Sequence, residues 1–415
     1  MKEKISPKES KKKKNQSRKC IQILIKILDN LLAKILYILI FTIFLVFIYK
    51  EKNKFITLMN ITDRENYTMQ AKAKRKGREY LNKCLEGKLI NNKIFKISEN
   101  PKVSIIIPLY NTGKRTKLII RSIQNQNMED IEIILVNDFS NDNTLEIIEK
   151  LKEEDPRIKI INNNSKNMGT LYSRCIGVLQ SKGEYITNLD HDDFFFDEDV
   201  FDTAYKASEN GKFDIIAFLH FNSPSYYSKI EDIKSVSSSI PHNKTVYQPE
   251  LSIYTQFGDE GINFFDYRIW EKFFKNNIYK KAVNALTYER YSKFSVYSED
   301  FIGLFSICNM AESYKFIRKY GIFHLIDDNT SSKTSSHDKS IFSDILFSDV
   351  IVDLGKNQFK KYAAIYLISR VSISSEKNNE FLLQVLNKIM KCQYIEEKYK
   401  EKLKFKFGTL LSNLK

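Results

Sequence analysis

The sequence predicts an α/β protein: a mostly parallel sheet flanked by helices. Two observations carry this. Between Pro101 and Leu189, short apolar runs alternate with helix-compatible stretches of about ten residues, the pattern of βαβ units. Polar residues then gather where each apolar run ends, and ligands of such sheets bind at the carboxyl ends of the strands. The first strand is Val103 to Pro108, with the proline expected to stop it. Thr116 to Gln124 reads as a helix and Ile131 to Val136 as the second strand, ending in Asn137-Asp138. A helix from Asn143 to Glu153 is broken by Asp155-Pro156. Arg157 to Ile161 is the third strand, Thr170 to Gln180 the third helix and Tyr185 to Leu189 the fourth strand. Beyond Phe196 the pattern loosens: Ser235 to Ser239 is a low-complexity loop, and residues 262–310 are mixed and aromatic-rich. Helices return from about Ser340, including Glu380 to Lys391 and Tyr394 to Lys404.

An Asp-x-Asp pair, Asp190 and Asp192, follows the fourth strand. In an extended chain these two side chains share a face and Asp193 turns away. Two hard oxygen ligands suit Mg²⁺ or Mn²⁺ holding a substrate phosphate. There is no G-x-G-x-x-G and no Walker loop, so a bound nucleotide would need its phosphates neutralised by metal and cations. Tyr110, Asn111, Asp138 and Asp190 all fall at strand ends.

The chain has 415 residues and a formal net charge of +15. It shows no helix-turn-helix, zinc-finger or RNA-binding signature, so nucleic acid is not an expected partner. Its five cysteines lack any C-x-x-C pair and indicate neither zinc nor a disulfide framework. Residues 1–30 form a basic tail read as cytoplasmic. Residues 31–49 are apolar but for Lys34 and Thr42; about 19 residues at 1.5 Å each span roughly 28 Å, enough for a transmembrane helix. The expectation is a single-pass membrane protein with an N-terminal anchor, facing the Golgi or ER lumen in a eukaryotic cell. Residues 50–100, polar and helix-compatible over Met69 to Leu85, read as a stem; 101–330 is the sheet domain and 331–415 a helical C-terminal region. Sequons at Asn60, Asn66, Asn163, Asn243 and Asn329 do not decide topology in so Asn-rich a chain.

These residues resemble the glycosyltransferase family 2 pattern on a GT-A fold. The shared elements are Pro108-Leu109-Tyr110-Asn111, Asn137-Asp138 with its Ser-rich turn, Asn167-Met168-Gly169, Arg174-Cys175-Ile176-Gly177, and Gly183-Glu184-Tyr185-Ile186 leading to Leu189-Asp190-His191-Asp192-Asp193. Asn137 stands where an Asp is common. Trp270-Glu271-Lys272-Phe273-Phe274 and Tyr297-Ser298-Glu299-Asp300-Phe301 extend the match, which covers roughly residues 101–305.

The resemblance implies inverting transfer of a sugar from a nucleotide-diphosphate sugar, with a UDP-sugar as donor, to an acceptor hydroxyl of unknown glycan, protein or lipid. It implies Asp192 as direct ligand of Mn²⁺ or Mg²⁺, with Asp190 on the ribose or assisting the metal. Tyr110 would stack on or flank the base and Asp138 would accept from a uracil N–H. Arg174 would pair with phosphate or brace Asp138. Asp300 would be the general base, with Glu299 the runner-up. Pro108 and Gly169 read as a strand stop and a turn, and His191 as structural. His324 is a candidate metal ligand, because some GT-A enzymes complete the site with a late His. Two other readings stand beside this one: a catalytically silent GT-A scaffold, and a cytosol-facing polyisoprenyl-phosphate glycosyltransferase.

Overall fold

The computed structural model describes residues 50, 68–87, 94–223, 234–235, 245–247, 268–286, 299–326, 337–372 and 376–412. The expected membrane run, 31–49, lies outside them. Among the described residues no helix is long and apolar enough to cross a membrane. The chain divides into two units, Met1–Lys72 and Ala73–Lys415. Described residues of the first, 50 and 68–72, are helical. The rest of this account concerns the second.

The expected parallel sheet is present. Strands β1 (Val103–Leu109), β2 (Ile131–Asp138), β3 (Ile158–Asn163) and β4 (Tyr185–Asn188) alternate with helices α1 (Arg115–Gln124), α2 (Thr144–Glu154) and α3 (Thr170–Gln180). β2 and β4 both pair with β1 in parallel, and β3 pairs with β2. Every residue of β1 is buried, as expected of a strand covered on both faces. The strand runs through Pro108 rather than stopping there. β4 pairs with β1 only to Ile106, whose carbonyl accepts from Leu189 N–H. Pro108 faces the same side two residues on, beyond the end of β4, so its missing N–H costs no ladder bond.

The second half of the sheet is mixed. Its elements are β5 (Phe194–Phe195), α4 (Val200–Ala207), β6 (Ile215–Ser223), β7 (Lys234–Ser235), β8 (Thr245–Tyr247), β9 (Lys272–Lys275), α5 (Asn276–Leu286), α6 (Glu299–Met310) and β10 (Ser313–Leu325). Among the described residues the strand order is β3-β2-β1-β4-β9-β6-β10-β5, with β7 on β6 and β8 on β10. β9 is antiparallel to both β4 and β6, whereas β6 and β10 are parallel. The carboxyl ends of β1, β2, β4, β6 and β10 therefore lie along one edge. The order reverses at β1, which leaves a crevice between the loops that follow β1 and β4.

One glycine sets the depth of a helix. A Cβ on Gly177 would stand 2.5 Å from Ile106 Cγ2, so α3 lies closer to β1 than any larger residue allows. Arg174, one turn earlier on α3, is thereby carried to the end of β4.

The C-terminal helices are α7 (His337–Leu354), α8 (Lys361–Arg370), α9 (Glu376–Lys391) and α10 (Glu397–Leu411). They pack behind α6, which is buried from Phe301 to Asn309. Phe347 of α7 meets Phe301 and Phe305 with ring centroids 5.8 and 5.9 Å apart. Within the stretch read as stem, residues 73–85 are helical, Tyr80 and Leu81 are buried, and Tyr80 Oη donates to Ser122 O at 2.5 Å.

Candidate active site

The loops after β1 and β2 are tied to each other. Asn111 N–H donates to Ser140 Oγ at 3.0 Å and Asn141 N–H to Asn111 Oδ1 at 2.9 Å. Tyr110 stands at the end of β1 with 47% of its surface exposed. Asp138 is 3% exposed, and its carboxylate accepts from Asn163 Nδ2, Met168 N and Gly169 N at 2.9, 2.9 and 2.7 Å. Gly169, at φ 92°, adopts a left-handed conformation that lets its amide reach the acid. Asn167 Nδ2 adds a bond of 3.3 Å to the Asp138 carbonyl. Asp138 thus fixes the loop that leads into α3.

Arg174 does not brace Asp138. Its Nη1 donates to Asp300 Oδ1 at 2.6 Å and its Nη2 to Asp190 Oδ1 at 2.5 Å. The side chain is 2% exposed, and Nε has no partner among the described residues. The low seat of α3 on β1 aims the guanidinium away from the end of β2 and into the crevice. Burial works against its charge, but Asp190, then Asp300 and Glu299, outweigh burial and raise its pKa. The acid Asp300, 126 residues along the chain, is thereby joined to the Asp-x-Asp segment by one side chain.

Glu299 and Asp300 open α6, where the helix dipole favours negative charge. Burial nevertheless raises both. Glu299 is pushed up to about 8, first by burial and then by Asp300; its Oε2 is buried without a hydrogen-bond partner among the described residues. Asp300 is raised by burial against the pull of Arg174, with Asp190 raising it further and Lys272 lowering it. Lys272, fully buried on β9, donates to Arg268 O.

The Asp-x-Asp segment is a turn rather than a strand end. β4 stops at Asn188, and Asp193 N–H closes on Asp190 O at 3.1 Å. The alternation behind the expected pairing of Asp190 and Asp192 holds only while the chain stays extended, so the turn rather than a strand sets where these two side chains lie. Asp193 does turn inward. It is fully buried and accepts from Leu325 N–H at 3.2 Å, and His324 Nδ1 lies 2.8 Å from its Oδ1. Burial pushes Asp193 up to about 7. Burial acts the other way on His324, yet Asp193, with Asp192 and Asp190 beyond it, lifts His324 to about 9. His191, read as structural, is exposed beside Asp192.

The sequence reading missed a second histidine. His220 Nδ1 is 2.6 Å from Glu271 Oε2, which also serves Arg268 through Oε1 at 3.1 Å. Trp270 stacks on His324 at 4.8 Å and meets His220 edge-on at 4.8 Å. His220 lay unnoticed in the apolar run Ile215–Phe221, and a lone histidine among apolar residues was its sole signal.

The residues present suit a hard divalent cation shared with a diphosphate. Asp190 and Asp192 offer carboxylate oxygens from one turn, and burial raises Asp192, so a cation beside it would offset an unfavourable charge. Among the described residues there is no group of three or more His, Cys, Asp and Glu poised around one ion. A two-carboxylate arrangement completed by substrate oxygens is how Mg²⁺-type sites are commonly built. His324 has one ring nitrogen committed to Asp193.

Residues 104–285 match the sequence model of a family described as glycosyl transferase family 2. Glycosyltransferase GlyG of Streptococcus pneumoniae serotype 4 is 33% identical over 120 residues, which are 29% of this chain and 39% of that protein. The GalNAc(5)-diNAcBac-PP-undecaprenol beta-1,3-glucosyltransferase of Campylobacter jejuni is 36% identical over 109 residues, 26% of this chain and 35% of that protein. The chain thus spans well under half the length of these curated relatives. The crystal structure of S. aureus TarS 1-349 with UDP aligns over 75% of this chain and 88% of its own, at 16% identity and a TM-score of 0.52. The UDP-GlcNAc complex of the same protein aligns over 75% and 91%, at 14% identity and a TM-score of 0.53. Likeness at that identity is a likeness of fold.

Proposed function

We propose that this chain, which belongs to glycosyl transferase family 2 through residues 104–285, moves a sugar from a nucleotide-diphosphate sugar to an acceptor hydroxyl with inversion. The observation that carries the reading is the Arg174 bridge: it puts an acid able to take a proton, Asp300, beside the acid that would meet the donor, Asp190. Tyr110 offers an exposed ring for the base. Asp138 positions the loop against which the nucleoside would lie and presents the acceptor group for a base N–H. The structurally similar TarS was crystallised with UDP and UDP-GlcNAc, which favours a UDP-sugar as donor.

Asp192, helped by Asp190, would hold Mn²⁺ or Mg²⁺, and the ion would supply charge neutralisation on the departing diphosphate. Asp300 accepts the proton of the acceptor hydroxyl as that oxygen bonds to the anomeric carbon from the face opposite the diphosphate. Its burial raises its affinity for a proton, and Arg174 pulls the other way. Arg174 also keeps Asp190 and Asp300 in register, which makes it a positioning residue.

Residues 31–49 would anchor the enzyme to a membrane, with the basic tail of residues 1–30 on the cytoplasmic side. The C. jejuni relative is named for an undecaprenol-linked acceptor, which favours as second reading a lipid-linked acceptor at a membrane surface. Mapping glycans on Asn60, Asn66, Asn243 and Asn329 tests which side the domain faces. Modification places it in the lumen, and its absence in a cell that glycosylates its other secretory proteins places it in the cytosol. The function itself is tested by incubating the full-length chain and Mn²⁺ with a panel of nucleotide sugars and measuring nucleoside-diphosphate release. Release from one donor that chelation abolishes is expected. No release and no nucleotide binding across the panel would contradict the reading and favour a silent scaffold.

A further inference from the structure

Phe139 is the residue that neither packing nor backbone preference accounts for. It follows Asp138 directly, at φ 63°, in the left-handed region where a bulky side chain is strained and Gly or Asn would sit at ease. Its ring gains no core in return, since 45% of the residue is exposed. The conformation is imposed from both sides. Ser140 N–H donates to Asn137 Oδ1 at 3.3 Å, and Ser140 Oγ and Asn141 N are both bonded to Asn111. Asn111 occupies the matching place after β1 and is also left-handed, at φ 53°, which an asparagine tolerates. The last pair of β1 and β2 is Leu109 with Asn137, so Tyr110 and Phe139 leave the carboxyl ends of adjacent strands. Two exposed aromatic residues thus flank the buried Asp138.

A strained residue persists where the surrounding structure over-determines it, and such residues cluster at ligand sites. We infer that Phe139 is a second aromatic contact for the nucleobase of a nucleoside diphosphate, working with Tyr110 to hold the base over Asp138. This rests on the glycosyl-transfer reading above and deepens it. The strain is then a cost to the free protein that is kept because the ring serves the ligand.

The test titrates the full-length chain with UDP in the presence of Mn²⁺, and separately with inorganic pyrophosphate, while following thermal unfolding. Phe139→Asn and Phe139→Gly should weaken UDP binding roughly 5- to 100-fold, the range for loss of one base-stacking ring. Both should leave the melting temperature equal or raised, because each removes the strained conformation. Pyrophosphate binding should not move, and Phe139→Tyr, which restores a ring, should recover most of the affinity lost in Phe139→Asn. UDP binding by Phe139→Asn equal to wild type, or a parallel fall in pyrophosphate binding, overturns the inference and leaves the glycosyl-transfer reading standing. A wild-type chain that binds neither UDP nor any other nucleoside diphosphate overturns both.

Discussion

Asp138 closes β2 and Asp190 follows β4, on either side of β1, yet their charges are met in different ways. Asp138 is surrounded by neutral donors: two backbone amides and the Asn163 amide. Asp190 shares one guanidinium with Asp300, and Glu299 stands behind Asp300 with its pKa pushed up to about 8. The first cluster keeps its acid among neutral donors and fixes a loop. The second holds more acid than cation, the condition in which a metal and a proton-accepting carboxylate become useful. The difference teaches that the shared sheet edge divides into a nucleoside end, whose acid is met by neutral donors, and a reacting end, where acids outnumber the cation.

The largest expected effect comes from removing the shared cation. Arg174→Met leaves buried acids without their partner and should cost about 3–5 kcal/mol of stability in denaturant unfolding. Transfer should fall below detection even in the folded fraction. A folded variant with near wild-type turnover would erase the distinction between the two ends. At the other end, Asp138→Ala strands the Met168 and Gly169 amides; chemical denaturation should show a loss of about 1–3 kcal/mol together with weaker nucleotide binding.

A pH series sharpens the contrast further. Glu299, with its folded pKa near 8, keeps a proton that the unfolded chain releases above about 4.3. Below that value both states are protonated and the residue contributes nothing. As pH rises from there through about 8, the folded state binds more protons than the unfolded one, so stability falls. Glu299→Gln should therefore melt with wild type at pH 4.5 and above it at pH 8.5; parallel melting curves for the two proteins would refute the assignment. The smallest stability effect is expected at Asp192, where burial already disfavours the charge. Asp192→Asn should unfold at or slightly above the wild-type temperature while losing most Mn²⁺ affinity by calorimetry. Unchanged Mn²⁺ binding would move the metal elsewhere.

Much of the first half was legible in the sequence. Strands β1 to β4 appear as apolar runs within one or two residues of their observed ends, because β1, β2 and β4 are buried and the helices between the strands have plain patterns of their own. The second half hid its strands for physical reasons. β9 has four residues and lies antiparallel between β4 and β6. β10 carries Lys315, Arg318 and Lys319 through a register shift, which breaks any alternation. At the site, residue types were readable and their partners were not. Arg174 reads from the sequence as a partner of phosphate or a brace for Asp138, whereas in the structure it bonds acids 16 and 126 residues away. The parity argument for Asp190 and Asp192 ran one step past the end of β4, into a turn. His324 was visible as a late histidine; its hold on Asp193 depends on β10 meeting that turn.

The account's central claim is that Asp300 takes the proton of the acceptor while Asp190 and Asp192 serve the donor. Asp300→Asn in the full-length chain, assayed with the donor that the wild type uses, tests it most directly. Donor affinity should stay within a few-fold of wild type while turnover drops about 10²- to 10⁴-fold, the contribution of a positioned base. Turnover at the wild-type rate with intact donor binding would contradict it.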